Sequence, residues 1–161
     1  GVQELGDEFF NALLKQAGDS SDPVFRQAAV SALAATTDPA LIERLHGTIL
    51  AGSLKGTESL RFLFTLMDNP GSSEQTFAWM RQNSDVIIDN VPESFRSSIV
   101  PVLGNSFCTD EQADEWQAFV VANADKIPGY ERRLAQTMEA ISLCAALRDA
   151  RAPALIDALT T

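Results

Sequence analysis

The chain has 161 residues, of which 45% are hydrophobic and 21% are charged, a composition typical of a globular protein rather than a disordered one. Its 22 acidic residues against 12 Lys and Arg give a formal net charge of -10, which would repel a phosphate backbone, so we expect no nucleic-acid partner. No apolar run approaches the roughly 20 residues that cross a bilayer, and no signal peptide is recognisable, so we expect no membrane span.

Apolar residues recur at helical spacing along the chain, and strand-like alternation hardly occurs. Asp22-Pro23 and Asp38-Pro39 each place a capping side chain before a proline suited to the first helical position, so helices are predicted to start near 23 and near 39. Their predicted buried stripes are Phe25, Ala28, Ala29 and Ala32 for the first and Leu41, Ile42, Leu45 and Ile49 for the second. We expect these two helices to pack antiparallel.

Turn signals divide the next part of the chain into short helices. A third helix ends at Asn69-Pro70-Gly71, a fourth starts at Ser72 or Ser73, and a short apolar helix around 86–88 precedes a break at Pro92. Their predicted buried residues are Leu60, Leu63, Phe64 and Met67 for the third helix and Phe77, Trp79 and Met80 for the fourth.

In the last third of the chain, residues 94–107 form a predicted helix kinked by Pro101, and Thr109 with Gln112 fits a capping box that opens the next helix. That helix is predicted to end near Lys126. The longest helix is predicted from about Tyr130 to about Ala150, followed by a short one from Pro153. The predicted buried residues are Phe95, Ile99, Val102, Leu103, Trp116, Phe119, Val120, Leu134, Met138, Ile141 and Ala145. The final short helix carries Leu155, Ile156 and Leu159.

About ten short helices joined by turns predict an all-α fold. We expect a HEAT-like or armadillo-like α-solenoid of antiparallel helix pairs, with a compact multi-helix bundle as the alternative. Residues 1–161 are treated as a single helical-repeat domain. Because the chain opens with Gly1-Val2 and no methionine, we expect it to be a piece of a longer protein.

No catalytic or metal-binding motif is recognisable. His46 is the single histidine, so H-E-x-x-H cannot be built, and we predict no catalytic residue and no metal ligand in this chain. Cys108 and Cys144 do not form a Cys-x-x-Cys motif. The favoured interpretation is two small buried side chains, and the alternative is a disulfide, which would require an oxidising compartment.

Several short motifs occur in an order that resembles the helical C-terminal domain of the gluzincin (M1) zinc aminopeptidases, in the branch of the puromycin-sensitive and endoplasmic-reticulum enzymes. The stretch Asp38-Pro39-Ala40-Leu41 is followed by Ala78-Trp79-Met80, with Asn83 four positions after the tryptophan. Later, Gln136, Glu139 and Ile141 are similar to the Q-x-x-E-x-I segment of the family. Cys144 and Leu147, where many animal members have asparagine and tryptophan, look more like bacterial relatives.

This resemblance implies a noncatalytic domain that closes an active-site chamber and limits peptide access, while zinc is bound by a catalytic domain elsewhere in the same polypeptide. The implied partners are that catalytic domain and peptide substrates. Lys55, Arg81 and Arg133 are the candidate contacts for a peptide carboxylate. The alternative is a free-standing helical-repeat adaptor that binds a protein partner. The expected location is the bacterial cytoplasm, or the periplasm or exterior if the cysteines are bonded.

Overall fold

A computed structural model describes residues 2–52, 54 and 56–160, with side chains from Gly6 onward. These residues form nine α-helices and one 3₁₀ helix and contain no strand, which confirms the predicted all-α class. The solenoid arrangement and the single-domain assignment stay predictions. The α-helices are α1 (Val2–Asp19), α2 (Pro23–Ala34), α3 (Pro39–Leu50), α4 (Gly56–Asp68), α5 (Ser73–Gln82), α6 (Ser84–Asp89), α7 (Glu93–Ile99), α8 (Asp110–Ala122) and α9 (Glu131–Thr160), with the 3₁₀ helix at Val100–Gly104 between α7 and α8.

The chain divides into two compact units, the first up to Val91 and the second from Pro92 onward. In the first unit, α2 packs mainly against α1 and α4, and α5 packs against α3, α4 and α6. The expected pairing of α2 with α3 is therefore wrong, because each has its principal partners elsewhere. In the second unit, α9 packs against α8 and the 3₁₀ helix, which also contacts α7.

The two proline-led helices start where the sequence predicts. The Asp22 carboxylate accepts hydrogen bonds from the backbone N–H groups of Val24 and Phe25, and Asp38 caps α3 in the same way. These carboxylates satisfy N–H groups that have no partner within the helix. The α3 stripe Leu41, Ile42, Leu45 and Ile49 is buried as predicted.

The predicted stripes of α2 and α4 are partly wrong. In α2, Ala29 is buried, but Ala28 is exposed and Phe25 and Ala32 are half-buried; Val30, Leu33 and Ala34 are buried beside Ala29. In α4, Leu63 and Met67 are buried as predicted, with Phe62 and Leu66 in place of Leu60 and Phe64. Both helices contact two neighbours, so their buried faces are wider than one stripe and rotated from it.

α5 starts at Ser73, as predicted, and buries Phe77 and Met80 while Trp79 is half-buried. α1 was not predicted as an element. It kinks at Gly6, where φ is 71°, a backbone conformation that residues with a β-carbon rarely adopt.

The 94–107 segment changes helix type at its proline. α7 ends at Ile99, and Pro101 lies in the 3₁₀ helix, where its missing N–H removes no α-helical hydrogen bond. Phe95 is 55% exposed, so its predicted burial is wrong. The predicted cap is confirmed: Thr109 Oγ1 accepts from the Gln112 backbone N–H at 3.0 Å. The Gln112 side chain reaches back as predicted, but it accepts from the backbone N–H of Cys108, one residue before the cap.

α8 and α9 do not end where the sequence predicts. α8 ends at Ala122, short of Lys126. α9 is one helix of 30 residues with Pro153 inside it, so the predicted break near Ala150 is wrong. Pro153 is exposed, and the carbonyl that its ring leaves without a partner can be hydrated there, which lowers the cost of keeping a proline inside the helix.

Cys108, just before α8, and Cys144, in the middle of α9, are joined by a disulfide, with their Cα atoms 5.0 Å apart. The favoured interpretation of two unbonded cysteines is therefore wrong. Residues 36 positions apart in sequence meet because α8 packs against α9, a contact that no local pattern in the sequence reveals.

Candidate functional site

The three candidate contacts for a peptide carboxylate lie in different surroundings. Lys55 is outside the described residues. Arg81, in the last turn of α5, lies over the Phe77 ring with its guanidinium carbon 4.8 Å from the ring centroid, a cation–π geometry. Arg133 is exposed near the start of α9, and its Nη1 donates to Gln136 Oε1 at 3.2 Å. Their role in peptide contact stays a prediction.

His46 is enclosed within the first unit. Its side chain is 3% exposed, its Nε2 lies 3.1 Å from Thr76 Oγ1, and its ring stacks on Trp79 with centroids 4.2 Å apart and planes 5° from parallel. Burial lowers the pKa of His46 to about 4 because it penalises the charged imidazolium. His46 is therefore neutral at pH 7 and serves as a packing residue between α3 and α5.

No group of three or more His, Cys, Asp and Glu with metal-binding geometry exists among the described residues.

The lowered pKa of His46 predicts a loss of stability in mild acid. The unfolded state takes up a proton near pH 6.5, but the folded state does so only near pH 4, so stability falls as the pH decreases between these values. The loss amounts to about 2 kcal/mol between pH 7 and pH 4.5, and to about 3 kcal/mol once the folded state is protonated as well. Urea unfolding at pH 7 and pH 4.5 should show this loss in the wild-type chain and a smaller one in His46→Phe. An equal loss in both proteins would assign it to the carboxylates instead.

A cleft of about 220 Å³ lies between α2 and the start of α4 in the first unit. We call it the α2–α4 cleft. Its lining residues are Ser21, Pro23, Arg26, Gln27, Val30, Thr57, Glu58 and Arg61. The sequence gives no indication of it, because Arg26 and Glu58 are 32 positions apart and no motif contains both.

An arginine–carboxylate pair forms one wall of the α2–α4 cleft. Arg26 Nε and Nη2 donate to the two carboxylate oxygens of Glu58, and Nη1 donates to the carbonyl oxygens of Gly18 and Ser20. The side chains are 12% and 14% exposed. The bond to Glu58 raises the pKa of Arg26, which keeps the guanidinium charged. Arg61 also lines the cleft, is exposed, and has no hydrogen-bond or ion-pair partner among the described residues.

The C-terminal half of α9 leaves apolar side chains uncovered. The buried residues Leu134, Thr137, Ile141 and Ala145 form one face, and helical spacing continues that face into Ala152, Leu155, Ile156 and Leu159. We call these last four residues the α9 stripe. Leu155, Ile156 and Leu159 are 58%, 61% and 81% exposed.

Leu143 and Leu147 are also more than half exposed, on the other side of α9. A helix that is apolar on two faces is typical of one enclosed by other protein. No helix in the described part of the chain combines the length and hydropathy needed to cross a membrane.

Residues 1–143 match the family model described as the ERAP1-like C-terminal domain. The match includes both units up to the middle of α9 and ends before the α9 stripe. A comparison with curated proteins finds no match.

Proposed function

The chain belongs to the ERAP1-like C-terminal domain family, the C-terminal domain of M1 aminopeptidase-like proteins, and on that premise we propose that it closes the active-site chamber of its parent enzyme. In this proposal the chain is noncatalytic, zinc is bound elsewhere in the polypeptide, and peptides are the substrates that the chamber admits.

The observation that carries the proposal is the exposed α9 stripe. Monomeric proteins rarely leave a continuous row of large apolar side chains in water, and such a surface is typical of an interaction site. The C-terminal half of α9 is about 20 Å long, so a helix pair formed with a second copy would bury less than the roughly 1,000 Å² of a stable interface. We therefore infer that the α9 stripe is covered by a larger surface of the parent polypeptide and not by a second copy of this chain.

The disulfide adds a proposal on location. Structural disulfides persist in oxidising compartments, so the bonded Cys108 and Cys144 favour an exported or periplasmic protein over a cytoplasmic one. The resemblance to bacterial members of the family stays a prediction.

The test uses the parent enzyme and the 161-residue chain side by side. We expect no peptidase activity from the chain alone, with or without added zinc. Replacing Leu155 and Leu159 by serine should lower the binding of a hydrophobic dye by the chain. In the parent enzyme the same change should raise cleavage of long peptides relative to a dipeptide substrate, because a loosened wall admits longer chains.

Val24→Ser is the matched control, since Val24 is an apolar side chain that is 75% exposed on α2, outside the stripe. It should leave both dye binding and the peptide-length preference unchanged. An unchanged preference in the Leu155/Leu159 variant would contradict the proposal. If the parent gene encodes no catalytic domain and the stripe instead binds a separate protein, the chain is a helical-repeat adaptor.

A further inference from the structure

We propose that the α2–α4 cleft binds a carboxylate-bearing ligand, with Arg61 as the residue that contacts the carboxylate. The inference goes beyond the proposed function and does not depend on it. It rests on the charges that line the cleft, on the donors that remain unused, and on its size.

The charged side chains that line the cleft are mostly basic, although the protein as a whole is acidic. The described lining residues contribute two guanidinium groups and one carboxylate, whereas the whole chain has a net charge of -10. Glu58 is neutralised by its two hydrogen bonds from Arg26, so the charge of Arg61 remains. A ligand with one negative charge would complement that excess.

Donors remain available on both arginines. Arg26 uses four of its five N–H groups on Glu58, Gly18 and Ser20, which leaves one on Nη2. Arg61 has no partner among the described residues and lies three positions after Glu58, on the same side of α4. A planar guanidinium with free donors is the group that best recognises a carboxylate.

The size of the cleft limits the ligand. At about 220 Å³ it is smaller than the roughly 300–1,000 Å³ of sites that enclose drug-sized molecules. It admits a carboxylate with a few carbon atoms beside it, which describes a small organic acid or the end of a peptide. The side chains of Ser21, Gln27 and Thr57 provide neutral hydrogen-bonding groups around that space.

The experiment is an NMR titration of the 161-residue chain that observes the arginine Nε–H signals. The probes are N-acetylalanine, its amide, and inorganic phosphate. We expect saturable shifts of the Arg61 and Arg26 signals with N-acetylalanine and none with the amide. Arg61→Ala should weaken binding about tenfold, since a hydrogen-bonded charge partner is lost. Added salt should weaken it as well.

The control variant is Arg151→Ala, which removes an exposed arginine of α9 and should bind N-acetylalanine like the wild-type chain. Circular dichroism establishes that each variant is folded. The proposal is overturned by the absence of a saturable shift below about 100 mM ligand, by equal binding of the amide, or by unchanged affinity in Arg61→Ala. Tighter binding of phosphate than of N-acetylalanine would also overturn it, since the ligand would then be an inorganic anion. Tripeptides with free and amidated ends distinguish a peptide end from a small acid.

Discussion

Trp116→Ala is expected to destabilise the second unit by about 3–5 kcal/mol, the range for removing a buried aromatic side chain. Trp116 is fully buried in α8, its ring packs near Phe107 and Phe119, and its Nε1–H donates to the Pro101 carbonyl at 2.9 Å. The truncation leaves a large cavity and an acceptor in the 3₁₀ helix without its donor. Urea unfolding followed by circular dichroism measures the loss.

Two further variants test whether this packing is specific to indole. Trp116→Phe keeps most of the ring volume and loses the hydrogen bond, so we expect a smaller loss than for alanine. Gly104→Ala should also destabilise, by about 1–3 kcal/mol, because a β-carbon there would lie 2.6 Å from the Trp116 ring. A loss below 1 kcal/mol for Trp116→Ala would contradict the central place of this side chain in the core.

Loss of the Cys108–Cys144 disulfide is expected to cost about 3–4 kcal/mol in the chain-entropy model of a cross-link. The bond closes a loop that contains α8 and the first half of α9, because the cysteines are 36 positions apart. Without it, the unfolded chain gains conformational freedom, and the contact between the start of α8 and α9 depends on packing alone. The measurement is the urea midpoint of the wild-type chain with and without a reducing agent.

The double variant Cys108→Ser/Cys144→Ser is the control for reduction. Its unfolding midpoint should match that of the reduced wild-type chain and should not respond to the reducing agent. A thiol assay on denatured, oxidised wild-type chain should detect no free thiol, since both cysteines are bonded. Two free thiols, or a midpoint insensitive to reduction, would show that the bond does not form in solution.

The disulfide also bears on the proposed function, because it holds α9 to α8 immediately before the exposed half of that helix. Cys144 lies eight positions before Ala152, the first residue of the α9 stripe. If the α9 stripe docks on the rest of the parent enzyme, the disulfide holds in place the part of α9 that precedes the stripe. Reduction should then change the peptide-length preference of the parent in the same direction as serine at Leu155 and Leu159.

Local chemistry in the sequence determined much of the fold. The all-α class follows from helical spacing, and the starts of α2, α3 and α8 follow from Asp22, Asp38 and Thr109, each of which caps N–H groups within its own first turn. Such signals are readable because donor and acceptor are two or three residues apart. The family resemblance depended on short motifs in order, and the family match over residues 1–143 confirms it.

The buried helix faces, the disulfide and the cleft depend on contacts between residues distant in sequence, and only the tertiary structure revealed them. The buried faces of α2 and α4 depend on the two helices that each of them contacts. The disulfide forms because α8 packs against α9, and the α2–α4 cleft forms where Arg26 contacts Glu58. The continuation of α9 past Pro153 depended on its exposed surroundings. Capping and periodicity are local, so the sequence alone determined them; pairing, burial and clefts arise from contacts between helices, which a single sequence does not specify.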